Sequence, residues 1–234
     1  MASRPVFIPS TDGPLLVKTE YVDFKWFPGM AVSQKQKSVA SLHSQAREKL
    51  DLDNLLEVSS KSLESLGVEL SAFNLLFTTL KQSRTLSVEC AFQGSKIFEH
   101  GGPYLDIFEK TSKEAKRDER LKNSGRIVGF RFFGTHWETE PRTAFYDWLY
   151  LNALNKNPEL MTGLANYSAF TDIEFNPEKS INCQAYSIAL FSSLKKRGLI
   201  DEALYSKESF LLILSKYKIN NAHRDDTSRK GFDF

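Results

Sequence analysis

Apolar and polar positions alternate through residues 16–26, within the stretch LLVKTEYVDFKWF, which is the period of a half-buried strand. A short apolar run at 6–8 precedes it across a turn marked by Pro9 and Pro14, and Pro28-Gly29 stops it. The period then lengthens. Val39, Leu42, Ala46 and Leu50 recur at helical spacing, predicting a helix that Ser33 caps and that reaches Leu50. LLEVSS at 55–60 reads as a further strand. None of these stretches carries a chemical signature of its own, so residues 1–55 are expected to form a β/α extension packed on the main domain.

The pattern changes character in LSVECAFQGSKIFEH, residues 86–100, which the segment LSAFNLLF and the polar turn LKQSRT lead into. No Pro interrupts it, and its apolar spacing is helical. At roughly 100° per residue, Val88, Ala91, Phe92, Ser95 and Phe98 fall on one side, with Cys90 and Ile97 roughly opposite Phe92. Between these flanks runs a narrow polar stripe, Glu89, Gln93 and Lys96, where a surface helix would show a broad charged face. Long helical side chains lean toward the N-terminus, so Lys96 is expected to reach back over Gln93 toward Glu89. A carboxylate and an amine held in an apolar setting tune each other's pKa. An internal ion pair that only fixes the helix fits the same spacing. Gly101-Gly102-Pro103 supplies the expected helix end.

Further on, Thr111-x-x-Glu114 has the form of a capping box opening a helix through Leu121. Residues 110–131 hold eight Lys or Arg, either a solvated helix face or a track for phosphates. IVGFRFFG reads as a strand leading into Thr135-His136-Trp137, and Pro141 opens a helix whose Phe145, Trp148, Leu149 and Leu151 supply core. Asn157-Pro158-Glu159 predicts the cap and first position of a short helix. FTDIEF at 170–175 reads as a strand halted by Asn176-Pro177, 180–197 as a helix closed by Gly198, and 206–216 as a last helix. The fold class expected is α+β, mostly helical, with a small antiparallel sheet. Its parts are the extension 1–55, a main domain 56–200, a C-terminal helix in 201–219 and a polar tail, 220–234, expected to be disordered.

Composition narrows the chemistry more than the fold. The chain has 234 residues, 41% hydrophobic with 18 Phe, ample for a substantial core. Its formal net charge is only +2, so any polyanion site must be local rather than a field of the whole molecule. Two cysteines, Cys90 and Cys183, build neither a disulfide framework nor a zinc spacing, and His43, His100, His136 and His223 show no ligand spacing. No metal or cofactor is expected. No G-x-S-x-G, P-loop or dinucleotide fingerprint is present. MASRPVFIPSTDG lacks the apolar run of a signal peptide, and no stretch approaches the roughly 20 apolar residues of a membrane helix. A reducing cytoplasm and no membrane partner are therefore expected. Chemistry is left to the Glu89/Lys96 stripe, to Trp137 and to the acids and amides of 170–184. Trp137 and Phe73 serve either as aromatic plates for a base or sugar, or as plain core.

In chain order, Leu70-Ser71-Ala72-Phe73-Asn74, the Glu89/Gln93/Lys96 helix, Thr111 to Lys116, Trp137, Asn157-Pro158-Glu159-Leu160, Asp172 and Asn182 resemble the motif series of the NADAR (YbiA-like) family. That likeness covers about residues 56–197. YVDFKWFPGM, SQKQKS, CAFQGSKIFEHGGPY and FTDIEFNPEKSINCQA are similar, over nearly the whole chain, to NADAR proteins associated with DarT-type toxins. The chain departs from the family pattern at Ala72 (Asn in the pattern), Cys90 (His) and Asp172 (the acidic strand residue), and FNPEKS stands in place of a W-G-x-G segment.

The resemblance implies an N-glycosidase that removes ADP-ribose from guanine bases of DNA or nucleotides, releasing ADP-ribose, as antitoxin to a DarT-type toxin. An N-glycosidase of a riboflavin-pathway intermediate, or a non-catalytic binder of the modified target or the toxin, are the alternatives. It also implies Glu89 and Lys96 as catalytic, and Ser71, Phe73, Asn74, Gln93, Trp137, Asp172 and Asn182 as substrate-binding. The chemistry is coherent: cleaving a C–N bond at an anomeric carbon builds positive charge on the sugar, which a carboxylate stabilises. Lys96 either attacks that carbon and passes through a Schiff base, or stays a cation that orients ribose or phosphate.

Overall fold

A computed structural model describes residues 1–79 and 83–219. The tail from 220 and the first half of the LKQSRT turn, 80–82, lie outside the described residues. Helix outweighs strand, 43% to 20%, in a mixed α+β fold as expected. Contacts gather the described chain into two compact units: residues 1–71 with 158–219, and residues 72–157.

The first unit begins with the alternating stretch. Strand β1 (Ala2–Pro9) and strand β2 (Val17–Phe24) pair antiparallel, from Ala2↔Phe24 to Pro9↔Val17. Helix α1 (Val32–Leu50) lays Val39, Leu42 and Ala46 against Val6, Val22 and Phe24. Its N-cap is Ala31, with no side-chain cap, rather than Ser33. Strand β3 (Leu55–Glu57) and the short helix α2 (Ser65–Glu69) follow.

The second unit opens with a hairpin of β4 (Leu76–Thr78) and β5 (Thr85–Ser87) that runs directly into helix α3 (Val88–Ser95). Here the expectation of a helix to His100 is corrected. The helix stops at Ser95, whose hydroxyl donates to the Ala91 carbonyl at 2.6 Å, and Lys96 starts strand β6 (Lys96–Phe98). Lys96 pairs with Phe130 of strand β7 (Ile127–Phe132), which pairs in turn with β8 (Thr135–Trp137). The helical pattern gives way because three residues gain sheet partners outside their own segment. Between β6 and β7 lie helices α4 (Ser112–Arg117) and α5 (Arg120–Asn123). The capping box forms as predicted, Thr111 and Glu114 each capping the other's backbone. The helix ends early because Asp118 takes Arg120's N–H and guanidinium instead. Helix α6 (Ala144–Asn155) closes the unit, its Phe145 stacked with Phe92 and Phe130 at centroid separations of 6.1 and 4.8 Å.

The chain then returns to the first unit. Pro158 takes the first position of helix α7 (Pro158–Leu164) as expected. The amide nitrogen of Asn157, however, donates to the carbonyls of Leu76 and Ala153. Strand β9 (Ala169–Thr171) inserts between β1 and β3 to give the order β2-β1-β9-β3, antiparallel to β1 and parallel to β3. Helix α8 starts at Gln184, four residues later than its periodicity suggested, and runs to Lys196. Arg197 at its end donates to the carbonyls of Ser10, Asp12 and Leu15, tying down the turn between β1 and β2. The last helix of the sequence reading is preceded by another: α9 (Ile200–Tyr205) and α10 (Lys207–Ser215).

Candidate active site

Helix α3 is fixed at its start by groups outside it. The first N–H groups of a helix lack intrahelical partners. Here Val88 donates to the Leu75 carbonyl at 3.0 Å, Glu89 to that of Ala72 at 2.9 Å, and Cys90 to the Ser87 hydroxyl at 3.1 Å. The turn through Phe73 and Asn74 therefore holds the helix in place and faces Glu89 in a set direction. All eight residues of α3 are buried. Gly94 is required by packing: a Cβ there would lie 2.5 Å from the Phe108 ring.

Two of the three stripe residues are joined by a bond. Gln93 Nε2 donates to Glu89 Oε1 at 2.9 Å, and both side chains are buried. Among the described residues Glu89 Oε2 accepts no hydrogen bond, and the buried Gln93 Oε1 has no partner. Lys96 does not complete the ion pair expected of a continuous helix; among the described residues no ion pair joins it to Glu89. Leaving the helix turns its Nζ over the Phe92 ring, 4.8 Å from the centroid. Burial pushes the Lys96 ammonium down to about 8, repulsion from Lys116 adds to this, and the Glu89 carboxylate pulls the other way. Near neutral pH this amine is close to losing its proton.

Phe73 and Asn74 line a cavity of about 400 Å³ with Ser87 and Cys90 of the α3 start, Phe108 and Lys113. Lys116 stands over the Phe73 ring at 5.1 Å. Trp137 is 1% exposed and packs on Trp148 and Phe145, a wall of the unit rather than an open plate. The other three predicted residues belong to the first unit. Ser71 is buried and its hydroxyl donates to the Val68 carbonyl. Asn182 is half-buried in the loop before α8. Asp172 is buried where β9 ends, and its Oδ1 accepts the N–H groups of Glu174 and Phe175 at 3.0 and 3.2 Å. That turn is why the strand expected over 170–175 stops at Thr171.

The sequence reading passed over a second buried acid in this unit. Glu57, 2% exposed on β3, accepts the hydroxyls of Ser59 and Thr171 and the N–H of Ile173. Burial first, and the Asp172 charge second, push its carboxyl up to about 8. Burial likewise raises Asp172 to about 7. His43 Nε2 lies 2.8 Å from Thr171 Oγ1, and burial pushes its imidazole down to about 4. The only signal in the sequence is an acid inside the apolar run of LLEVSS. Among the described residues no group of three His, Cys, Asp or Glu is arranged to hold a metal ion, and no helix is long and apolar enough to cross a membrane.

An α+β chain whose central helix carries a buried Glu–Gln stripe ending in a lysine fits the NADAR class, a group of N-glycosidase-like hydrolases. The family model of the DarT1-associated NADAR antitoxins matches residues 2–224, and the chain belongs to that family. Its role is thereby that of an antitoxin paired with a DarT-type toxin. No curated protein matches the chain.

Proposed function

We propose that this antitoxin is an N-glycosidase that hydrolyses the bond between ADP-ribose and a guanine base of DNA, in the cytoplasm, undoing the modification its toxin makes. The observation that supports this most directly is the unfinished hydrogen bonding of the stripe. Among the described residues the buried Gln93 Oε1 has no donor and Glu89 accepts only the one from Gln93, beside an amine pushed down to about 8. Ribose hydroxyls are donors that such acceptors would take, and a carboxylate there stabilises the cationic sugar of the transition state. In the sequence of steps proposed, the Lys96 amine attacks the anomeric carbon and the bond to guanine breaks, its electron pair leaving with the base. The base nitrogen gains a proton, and the ribose ring opens to an imine on Lys96. Water then adds to the imine carbon, releasing ADP-ribose and restoring the amine. The sum is one water consumed for one ADP-ribose and one unmodified guanine. Phe73, Asn74, Ser71, Asp172 and Asn182 remain proposed as residues that hold the substrate, with Trp137 backing the site from the core.

The test is incubation with an oligonucleotide carrying ADP-ribosylated guanine, following free ADP-ribose and unmodified base by mass spectrometry. Stoichiometric release with turnover supports the glycosidase. A stable complex with no release over hours would replace it with a binder that sequesters the modified base.

A further inference from the structure

Two cavities of the second unit share a rim. One, of about 400 Å³, has Phe73 and Phe108 among its walls and Lys113 at its α4 edge. The other, of about 270 Å³, runs along Phe77 to Lys156. Leu76 and Thr85 line both, so the two form one elongated groove, and neither Glu89 nor Lys96 lines it.

The basic segment noted in the sequence is resolved by the structure into two parts. Lys110 and Arg120 are neutralised by Asp118 and Asp106, and Arg126 by Glu99. Lys113, exposed at one end of the groove, has no ion pair among the described residues. Lys156, exposed at the other end, donates to the Thr78 carbonyl at 2.9 Å and likewise meets no carboxylate among the described residues. The nearest acid of α4, Glu114, is spent on Thr111 in the capping box. An elongated groove with a lysine that meets no carboxylate at each end and phenylalanine rings along it suits a flexible polyanion that carries flat apolar groups. Single-stranded nucleic acid has that character, phosphates meeting lysines and bases stacking on rings. A compact diphosphate would engage one end only.

We propose that this groove binds the single DNA strand flanking the modified guanine, with phosphodiesters on Lys113 and Lys156 and a base against Phe73 or Phe108. The assignment rests on the glycosidase reading, because it takes the strand to be part of that enzyme's substrate. It gives an enzyme with little net charge a local hold on DNA.

The experiment uses the full-length protein and its Lys113→Glu/Lys156→Glu variant. Fluorescence anisotropy reads the affinity for an unmodified single-stranded oligonucleotide. Turnover is measured on an ADP-ribosylated oligonucleotide and on ADP-ribosylated guanosine monophosphate. The variant is expected to bind the oligonucleotide about tenfold or more weakly, with a log–log salt slope shallower by about 0.7 per lost phosphate contact. KM for the modified oligonucleotide rises by the same factor at unchanged kcat, and the mononucleotide is turned over as before. Lys122→Glu/Arg131→Glu, which reverses two exposed cations outside the groove, leaves both substrates within about twofold, as a screened distant charge should. An equal loss from that second variant would overturn the groove in favour of a diffuse field. An equal loss on the mononucleotide would overturn it in favour of a site for the substrate's own diphosphate. If the parent turns over neither substrate yet binds the oligonucleotide through Lys113 and Lys156, the glycosidase reading fails and the groove stands as a nucleic-acid site.

Discussion

Two buried carboxylates, Glu89 and Glu57, lie at similar depth, 7% and 2% exposed, yet they are supplied with donors very differently. Glu57 receives three, at 2.6, 2.7 and 2.9 Å. Among the described residues Glu89 receives one, from Gln93, and the Gln93 carbonyl oxygen is left with none. An unsatisfied buried polar atom costs roughly 1–3 kcal/mol, so a fold keeps one only where something else compensates. Glu57 takes from its own chain three of the roughly four hydrogen bonds a carboxylate can accept. Glu89 has unused capacity and a nearby amine. Depth of burial does not separate the two acids; the count of donors does, and on the proposed function it is Glu89, the less supplied, that reacts.

The largest expected effect tests the reactive half of that contrast. Glu89→Gln keeps size and hydrogen bonding but removes the charge, and turnover is expected to fall about a hundredfold or more, with the melting temperature little changed. A near-normal rate would return Glu89 to the structural class with Glu57. Lys96→Ala is expected to lose about as much. Borohydride added during turnover should trap ADP-ribose on the parent protein and not on Lys96→Ala, as read by intact mass. Robust turnover by Lys96→Arg, with no adduct on the parent, would leave Lys96 an electrostatic role only.

The structural half is tested by stability. Glu57→Ala strands its three hydrogen-bond partners in an apolar interior and is expected to cost about 3 kcal/mol or more in a denaturant melt. The pH dependence carries a sign. Glu57 is pushed up from 4.5 to about 8, so the folded form keeps a proton that the unfolded chain releases. The stability it contributes is full below pH 4.5 and is lost as pH rises through about 8. With Glu57 protonated, either Ser59 or Thr171 turns its hydroxyl to accept. His43 is pushed down from 6.5 to about 4, and its contribution is lost as pH falls through that window. Glu57→Gln should therefore flatten the alkaline decline and leave the acid limb in place; an unchanged alkaline limb would remove Glu57 as its cause.

The smallest effect refines the amine. If neutral Lys96 is the nucleophile, kcat should rise with pH through about 8. Lys116→Met removes a repulsion that lowers that pKa and should move the rising limb to higher pH at little cost in maximal rate. A limb that stays in place would mean that Lys116 does not help set the amine.

What could be read from the sequence is local. Alternation over 16–26 marks β2, the spacing of Val39, Leu42 and Ala46 marks the buried face of α1, and Thr111 with Glu114 marks the start of α4, because each depends on neighbours within a few residues. The same spacing placed Glu89 and Gln93 on one buried stripe, one helical turn apart. Tertiary structure decided the rest. It drew Lys96 out of the helical pattern by pairing it with Phe130, and it neutralised Lys110, Arg120 and Arg126 while leaving Lys113 and Lys156 free of ion pairs among the described residues. Two of the three donors of Glu57 come from Thr171 and Ile173, 114 and 116 residues along the chain. A periodic pattern says which face of an element avoids water. How many hydrogen bonds a buried acid receives there depends on which distant segments fold against it, and no local spacing records that.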